Sequence, residues 1–296
     1  MSTILPVLGQ IDSTTREYAI VFGATVLSLL LAGWLGTHHR RSVVGPSRLH
    51  EEDRPGRLWL LVAIGFYSLF LPGLIFQLGW GHSAPTTAPA TQISPRATAM
   101  LSVAQPLAIW LAVVIGGALI WPVWRDRLGL SLRRLPAGLS GGLLGAMTVI
   151  PPMFAIAILT QKCLEWIGIE HPNAHALLRA MDADREPVVQ ILGIVSAILL
   201  APICEELLFR GLLQTAIAHT IRRSSPDPAS RWIAIFLTSV VFTLFHPEAW
   251  MMPPILALSL CLGYVYERTG NLWSCMLLHA AFNSANVILF WSQAKH

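Results

Sequence analysis

Residues 188–210, VVQILGIVSAILLAPICEELLFR, decide the fold class because they join an apolar stretch of membrane-spanning length to a pair of glutamates. A spanning helix requires about 20 mostly apolar residues, and the run from Val188 to about Leu208 has that length. The whole chain agrees: 54% of its 296 residues are hydrophobic, 12% are charged and its mean hydropathy is +0.59. A soluble domain has about 25% charged residues, so the composition predicts a membrane protein.

The apolar runs predict an all-α fold, a polytopic bundle of about eight transmembrane helices. The sixth and seventh runs are short for full spans, and the PEAWMMPP stretch of residues 247–254 joins them. Non-helical backbone there would need protein or water to cover it at membrane depth. The eight predicted spans are Tyr18–Thr37, Leu58–Trp80, Met100–Trp124, Leu135–Thr160, Val188–Leu208, Trp232–His246, Pro254–Tyr266 and Leu272–Trp291.

The positions of lysine and arginine predict the orientation of the chain. With eight spans, the loops of one side contain 14 of these residues and those of the other contain 6, which puts the first side in the cytoplasm and both termini outside. No basic stretch typical of a signal peptide precedes the first span, so that span is predicted to remain as an anchor. We expect a bacterial inner membrane protein whose short arginine clusters contact lipid headgroups, with no nucleic-acid partner.

Two loops on the predicted outer side are longer than the others. Residues 81–98 are rich in Ala, Pro and Thr and predict an extended surface segment. Residues 161–186 carry five acids together with His171 and His175. A solvated acidic loop explains this composition better than a metal site does.

Polar clusters interrupt the apolar runs in the C-terminal part of the chain. Ionisable groups within a bilayer are costly, so each cluster is a hypothesis for a functional site. The clusters are Glu205-Glu206 with Arg210, His246 four residues after Phe242, and His279 with Asn283. The predicted spans within residues 1–186 contain almost no ionisable group. Residues 1–186 are therefore predicted to form an N-terminal scaffold of about four helices. Residues 187–296 are predicted to form the catalytic domain.

Helical geometry organises these clusters. Residues four apart share a helix face, so Glu206 can pair with Arg210. At about 1.5 Å per residue, Glu205 lies roughly 27 Å from the outer end of its helix, and His279 lies roughly 12 Å from the cytoplasmic end of its own. Both values indicate the cytoplasmic half of the membrane. His246 lies roughly 20 Å from the cytoplasmic end of its helix and is therefore deeper in the membrane. The sixth helix must tilt or break to bring it level with the others.

A carboxylate and two imidazoles that face one interior can hydrolyse a peptide bond in two ways. The carboxylate can act as general base on water while imidazole and amide groups stabilise the oxyanion. Alternatively, Glu205, His246 and His279 can bind zinc and leave a position open for water, although the chain has no H-E-x-x-H motif. Both mechanisms stay open, so the cofactor is zinc or none. Taken singly, the same residues also fit an ion pair and interhelical hydrogen bonds.

The three ordered motifs, E-E-x-x-x-R, F-x-x-x-H and H-x-x-x-N, resemble those of the CAAX-protease and bacteriocin-processing (CPBP, or ABI) family. This family includes type II CAAX prenyl endopeptidases and lysostaphin-resistance protein A, and the resemblance covers roughly residues 191–289. It implies an intramembrane endopeptidase, of metallo- or glutamate type, that cleaves a membrane-associated protein or peptide. The alternatives are a catalytically silent membrane module acting in immunity, regulation or assembly, and a proton-relay transporter.

The resemblance also implies a role for each motif residue. Glu205 would activate water with His246, and His279 and Asn283 would stabilise the oxyanion. Glu206 and Arg210 would support the site without contacting the substrate.

Overall fold

The computed structural model describes residues 13–38, 55–80, 93–170, 172, 174–224, 229–246 and 248–293. This part of the chain consists of helices and contains no strand, which confirms the all-α fold class. The helices of eight or more residues are α1 (Ser13–His38), α2 (Pro55–Trp80), α3 (Pro95–Ile120), α4 (Leu135–Trp166), α5 (Ala176–Ala183), α6, α7 (Ala229–Leu244), α8 (Met252–Thr269) and α9 (Leu272–Gln293). Helix α6 is one unbroken run of the segments Pro187–Val195, Ser196–Leu200, Ala201–Glu206, Leu207–Gln214 and Thr215–Ser224.

Several of these helices can cross a membrane. In the described residues, α2, α3, the segment Trp124–Trp166 that includes α4, α6 and α9 are long and apolar enough by length and composition. Shorter apolar helices are Tyr18–Gly33, within α1, and Ala229–Leu244, which is α7. Each of the eight predicted spans corresponds to a helix, while the number of crossings and the orientation stay predictions.

Three sequence-based expectations need correction. Helix α6 does not end near Leu208 but continues to Ser224, so Arg210 lies inside a helix and is not a loop residue. Residues 161–186 are not simply a solvated loop, because they contain α5 with buried Leu177 and Met181. Most of residues 81–98 lie outside the described residues, but Pro95 begins α3, so the end of that stretch is helical rather than extended.

Prolines inside helices remove backbone donors, and polar side chains of neighbouring helices replace them. Pro106 has no N–H for the carbonyl of Ser102 in α3, and the hydroxyl of Ser196 in α6 donates to that carbonyl. Pro151 likewise leaves the Met147 carbonyl of α4 without its helical donor, and the Ser28 hydroxyl of α1 donates to it at 2.8 Å. Such replacement is what allows proline within membrane helices.

Helix α9 packs closely on α4 because a row of glycines faces it. Gly138, Gly141, Gly142 and Gly145 recur at helical spacing along one face of α4. A Cβ on Gly142 would lie 2.7 Å from the Cβ of Leu277 and 2.8 Å from the carbonyl oxygen of Ser274. Small residues permit this approach of two helices. The predicted scaffold therefore sets the position of the helix that carries His279.

The turn before α9 fixes the height of that helix. Gly270 ends α8 in the left-handed conformation, with φ 61°, which glycine adopts without strain. Asn271 then caps α9, because its Oδ1 accepts the N–H of Trp273 at 3.1 Å. Its Nδ2 donates to the Arg134 carbonyl at the start of α4 at 2.8 Å. One side chain thus sets the register of α9 against α4.

Candidate active site

Two adjacent glutamates of α6 face different surroundings. The side chain of Glu206 is fully buried, whereas that of Glu205 is 27% exposed. They occupy the point where Ala201–Glu206 meets the wider, π-helical turns of Leu207–Gln214. Local widening of this kind often occurs at functional sites. The two carboxylates can therefore have different functions.

Glu206 is the centre of a buried polar network. Its Oε1 accepts hydrogen bonds from Arg210 Nη1 at 3.1 Å and from His279 Nδ1 at 2.8 Å. Arg210 is also fully buried, and its Nη2 donates to the hydroxyl of Ser259 at 2.7 Å. The guanidinium lies 4.5 Å from the centre of the Phe242 ring, a cation–π contact. This network joins α6, α7, α8 and α9.

Glu205 lies on the other side of the same imidazole. The distance from its Oε2 to His279 Nε2 is 3.8 Å, which is too long for a hydrogen bond. Its carboxylate makes no hydrogen bond to the described residues. With Nδ1 hydrogen-bonded to Glu206, His279 presents Nε2 to Glu205. A partly exposed carboxylate next to an oriented imidazole is suited to proton transfer.

His246 lies just beyond the end of α7. The helix stops at Leu244, and the following turn brings the imidazole against Phe242, whose ring centroid is 4.7 Å away. The His279 ring lies 6.0 Å from the same Phe242 ring. His246 Nδ1 is hydrogen-bonded to the Phe242 carbonyl at 2.9 Å, which leaves Nε2 for other contacts. The sixth predicted helix thus ends at Leu244, before His246, and the Phe242 ring lies near both imidazoles.

Asn283 bonds to the backbone of α6. In that helix, Pro202 has no N–H, and the N–H of Ala201 bonds to Ser196, so the carbonyl of Ala197 has no helical donor. Asn283 Nδ2 donates to this carbonyl at 2.8 Å. The amide has a second hydrogen, which makes no bond to the described residues. Asn283 thus anchors α9 to α6 and keeps one donor for a ligand.

The described residues do not contain a group of three His, Cys, Asp or Glu side chains arranged to hold a metal ion. Glu205 and His279 approach each other, but their arrangement with His246 does not make a three-ligand site. The donor set of Glu205, His246 and His279 therefore does not fit the zinc alternative.

The sequence interpretation missed Glu248 and gave His175 no part in the site. Burial lowers the pKa of the His175 imidazole, an effect opposed by the charges of Glu248 and Glu205 and reinforced by those of His246 and Arg179. His175 thus lies within electrostatic range of Glu205 and His246, and also of Glu248. One signal was available: Glu248 is an acidic residue only two positions after the histidine of the F-x-x-x-H motif.

Comparison with known proteins supports the motif assignment. Residues 187–285 match the family model described as type II CAAX prenyl endopeptidase Rce1-like. The chain is also 27% identical over 123 residues to a Bacillus subtilis (strain 168) protein named "Putative membrane peptidase YdiL". That alignment covers 42% of this chain and 45% of the relative, so the chain spans less than half of the relative's length. No solved structure matches the chain.

These matches confirm the predicted resemblance to the CAAX-protease and bacteriocin-processing family for the C-terminal third of the chain. The matched region begins at Pro187, the first residue of α6, and ends two residues after Asn283. It therefore contains all three motifs. Together with the long apolar helices, it identifies an integral membrane protein.

Proposed function

We propose that this protein is an intramembrane endopeptidase that hydrolyses a peptide bond of a membrane-associated protein or peptide. The observation that carries the proposal is the placement of Glu205. Its partly exposed carboxylate lacks a hydrogen bond to the described residues and faces an imidazole that a buried ion pair holds in place. The family match and the peptidase relative supply the reaction class.

In the proposed reaction, Glu205 is the general base. It takes a proton from water while the water oxygen attacks the carbonyl carbon of the scissile bond. The same carboxyl group then gives the proton to the leaving nitrogen as the C–N bond breaks. His246 orients the water through Nε2, because its Nδ1 is bonded to a backbone carbonyl. General acid–base catalysis of this kind contributes about 10²- to 10⁴-fold in rate.

His279 and Asn283 are the proposed donors to the oxyanion. They lie four residues apart on α9 and therefore share one face of the helix. Asn283 offers its second amide hydrogen, and His279 offers Nε2–H when its ring is protonated. Loss of one such donor costs about 10²- to 10³-fold in kcat. Glu206 and Arg210 keep the His279 ring oriented and do not touch the substrate.

The donor arrangement favours a glutamate-type mechanism over a zinc enzyme. A zinc site would use Glu205, His246 and His279 and would leave Asn283 without a direct role. We therefore expect a chelator to leave the rate unchanged and added zinc not to raise it. A loss of activity on chelation that zinc restores would contradict the glutamate mechanism but would leave the endopeptidase assignment in place.

The orientation of the bundle in the membrane is proposed from the lysines and arginines on its two sides. Arg210 is buried, so the loops and helix ends on the proposed cytoplasmic side contain 13 lysines and arginines against 6 on the other side. This bias still favours a cytoplasmic location of the basic loops, in a bacterial inner membrane, with both termini outside.

The proposal is tested with purified protein in liposomes and three probes: a fluorogenic CAAX-type peptide with a farnesyl group, the same peptide without it, and a membrane-anchored peptide. Glu205→Gln removes the proton acceptor but keeps the size of the side chain, and should lower kcat by at least about 100-fold. Glu170→Gln, an exposed glutamate far along the chain from the motifs, is the matched control and should keep full activity.

Mapping of new protein termini in membranes of cells that express the wild type or Glu205→Gln tests the same proposal without a chosen substrate. We expect termini that depend on Glu205. If neither assay shows Glu205-dependent cleavage while the Glu205→Gln variant keeps the biological activity of the wild type, the protein is a silent module of the same fold.

A further inference from the structure

His246 depends on support from outside its own helix. It lies two residues beyond the end of α7, and its backbone N–H bonds to the Thr243 carbonyl at 3.0 Å. The short 3₁₀ turn Ala249–Met251 follows Glu248. The proposed chemistry needs the imidazole in one position. The turn that contains His246 and Glu248, called the His246 turn below, must therefore be held by contacts with another part of the protein.

The side chain of Glu248 connects the His246 turn to another helix. Its Oε1 accepts the backbone N–H of Ala176 at 3.0 Å, at the first residue of α5. The same oxygen lies 3.2 Å from Arg179 Nη1, and the carboxylate is only 13% exposed. Arg179 also donates to the Ala174 carbonyl at 2.5 Å, so it joins the start of α5 to the carboxylate. Glu248 therefore caps a helix that lies 72 positions earlier in the chain.

Helix α5 is itself fixed to the helices that carry the other candidates. Its apolar face, formed by Leu177, Leu178 and Met181, packs in one cluster with Val287 of α9. Ile194 and Ile198 of α6 pack against the same cluster. A support that rests on α6 and α9 can place the His246 turn relative to Glu205 and His279. His175, next to α5, is within electrostatic range of Glu248 and His246.

We infer that Glu248 is a positioning residue for His246: through Ala176 and Arg179 it ties the His246 turn to α5, which is docked on α6 and α9. The inference rests on the proposed peptidase function for its catalytic consequence only. Glu248 acts through His246 and does not contact the substrate.

The first measurement follows His246 directly and needs no activity. In protein with isotope-labelled histidine, purified whole in detergent, the ring signal of His246 is identified by its loss in His246→Ala. Glu248→Ala should move and broaden this signal. Glu248→Gln keeps an oxygen that can accept the Ala176 N–H and should leave the signal close to its wild-type position. Glu165→Ala, which removes an exposed glutamate paired with Lys162 in the same outer region, is the control and should not move it.

Hydrogen–deuterium exchange and kinetics complete the test. Exchange of the Ala176–Ala183 amides should rise in Glu248→Ala and stay unchanged in Glu165→Ala. With the peptide that the wild type cleaves fastest, Glu248→Ala should lower kcat by about 10- to 100-fold, leave KM within about 2-fold, and be largely rescued by Glu248→Gln. Arg179→Ala should show a smaller loss in kcat, since Arg179 is 43% exposed.

The outcomes separate the two proposals. An unmoved His246 signal in Glu248→Ala overturns the positioning role, whatever the kinetics. A moved signal with raised exchange in α5 supports it in two cases: when kcat falls in an active enzyme, and when no probe is cleaved and the peptidase proposal itself fails. A moved signal with unchanged kcat in an active enzyme shows that Glu248 shapes the turn without serving catalysis, and it also overturns the inference.

Discussion

His279 and His246 lie against the same Phe242 ring, but the chain holds them in different ways. His279 belongs to the interior of α9, is 4% exposed and shares Glu206 with a buried arginine. His246 lies beyond the end of α7, is half-buried, and is followed by a turn that a peripheral helix ties down. One half of the site is therefore built into the helix core, and the other half is supported from its edge.

This difference separates stability from catalysis. Breaking the contacts around His279 leaves buried polar groups unpaired, so it should destabilise the whole bundle. The contacts of the His246 turn join groups that are partly exposed, so breaking them should alter the proposed reaction more than the fold. Three pairs of matched variants test the His279 half of this comparison.

The largest effect is expected from Glu206→Ala, in comparison with Glu205→Ala. Removal of Glu206 leaves Arg210 buried without its carboxylate, which should lower the free energy of unfolding by about 3–5 kcal/mol. Removal of Glu205, which is partly exposed and has no hydrogen bond to the described residues, should change it by less than about 1 kcal/mol while activity is lost. Thermal unfolding in detergent measures both. Equal losses of stability would mean that the two glutamates are not supported differently.

A smaller effect is expected from Gly142→Ala on α4, where the added Cβ would press on the backbone of α9. Overpacking of this kind costs about 1–3 kcal/mol, and we expect kcat to fall because His279 moves with α9. Gly23→Ala on α1, where a Cβ meets nothing within 4 Å, should be neutral or stabilising by up to about 1 kcal/mol. The same substitution in two helices thus tests whether the scaffold positions the site. Unchanged stability and kcat in Gly142→Ala would show that it does not.

The smallest effect on stability is expected from Asn283→Ala. The Ala197 carbonyl loses the donor that replaces the missing N–H of Pro202, and interhelical hydrogen bonds in membranes contribute about 0.6 and at most about 1.7 kcal/mol. Asn286→Ala is the matched control, because Asn286 Nδ2 donates to the Phe282 carbonyl within its own helix and makes no hydrogen bond to another helix among the described residues. Unfolding in denaturant should distinguish the two variants. A larger loss for Asn286 would contradict the anchoring role of Asn283.

Much of the candidate site could be predicted from sequence because its members are expensive to place in a membrane. Glu205, Glu206, Arg210, His246 and His279 stand out in apolar runs whatever the tertiary structure. Helical spacing alone also predicted the Glu206–Arg210 ion pair, since the two residues are four apart. The different burial of Glu205 and Glu206 could not be predicted, because it depends on Ser259 and His279, which lie more than fifty positions away.

The sequence by itself determined the membrane-embedded, all-helical class of this protein and singled out the candidate site residues, because composition and helical periodicity are local properties. Tertiary structure decided three contacts. The row of glycines on α4 that includes Gly142 packs against α9, Asn283 donates to a carbonyl that Pro202 leaves without a donor, and Glu248 caps the first turn of α5. These contacts join residues 72 or more positions apart. Their partners are chosen by packing, since each buried polar group must find a donor or acceptor among the helices that happen to surround it.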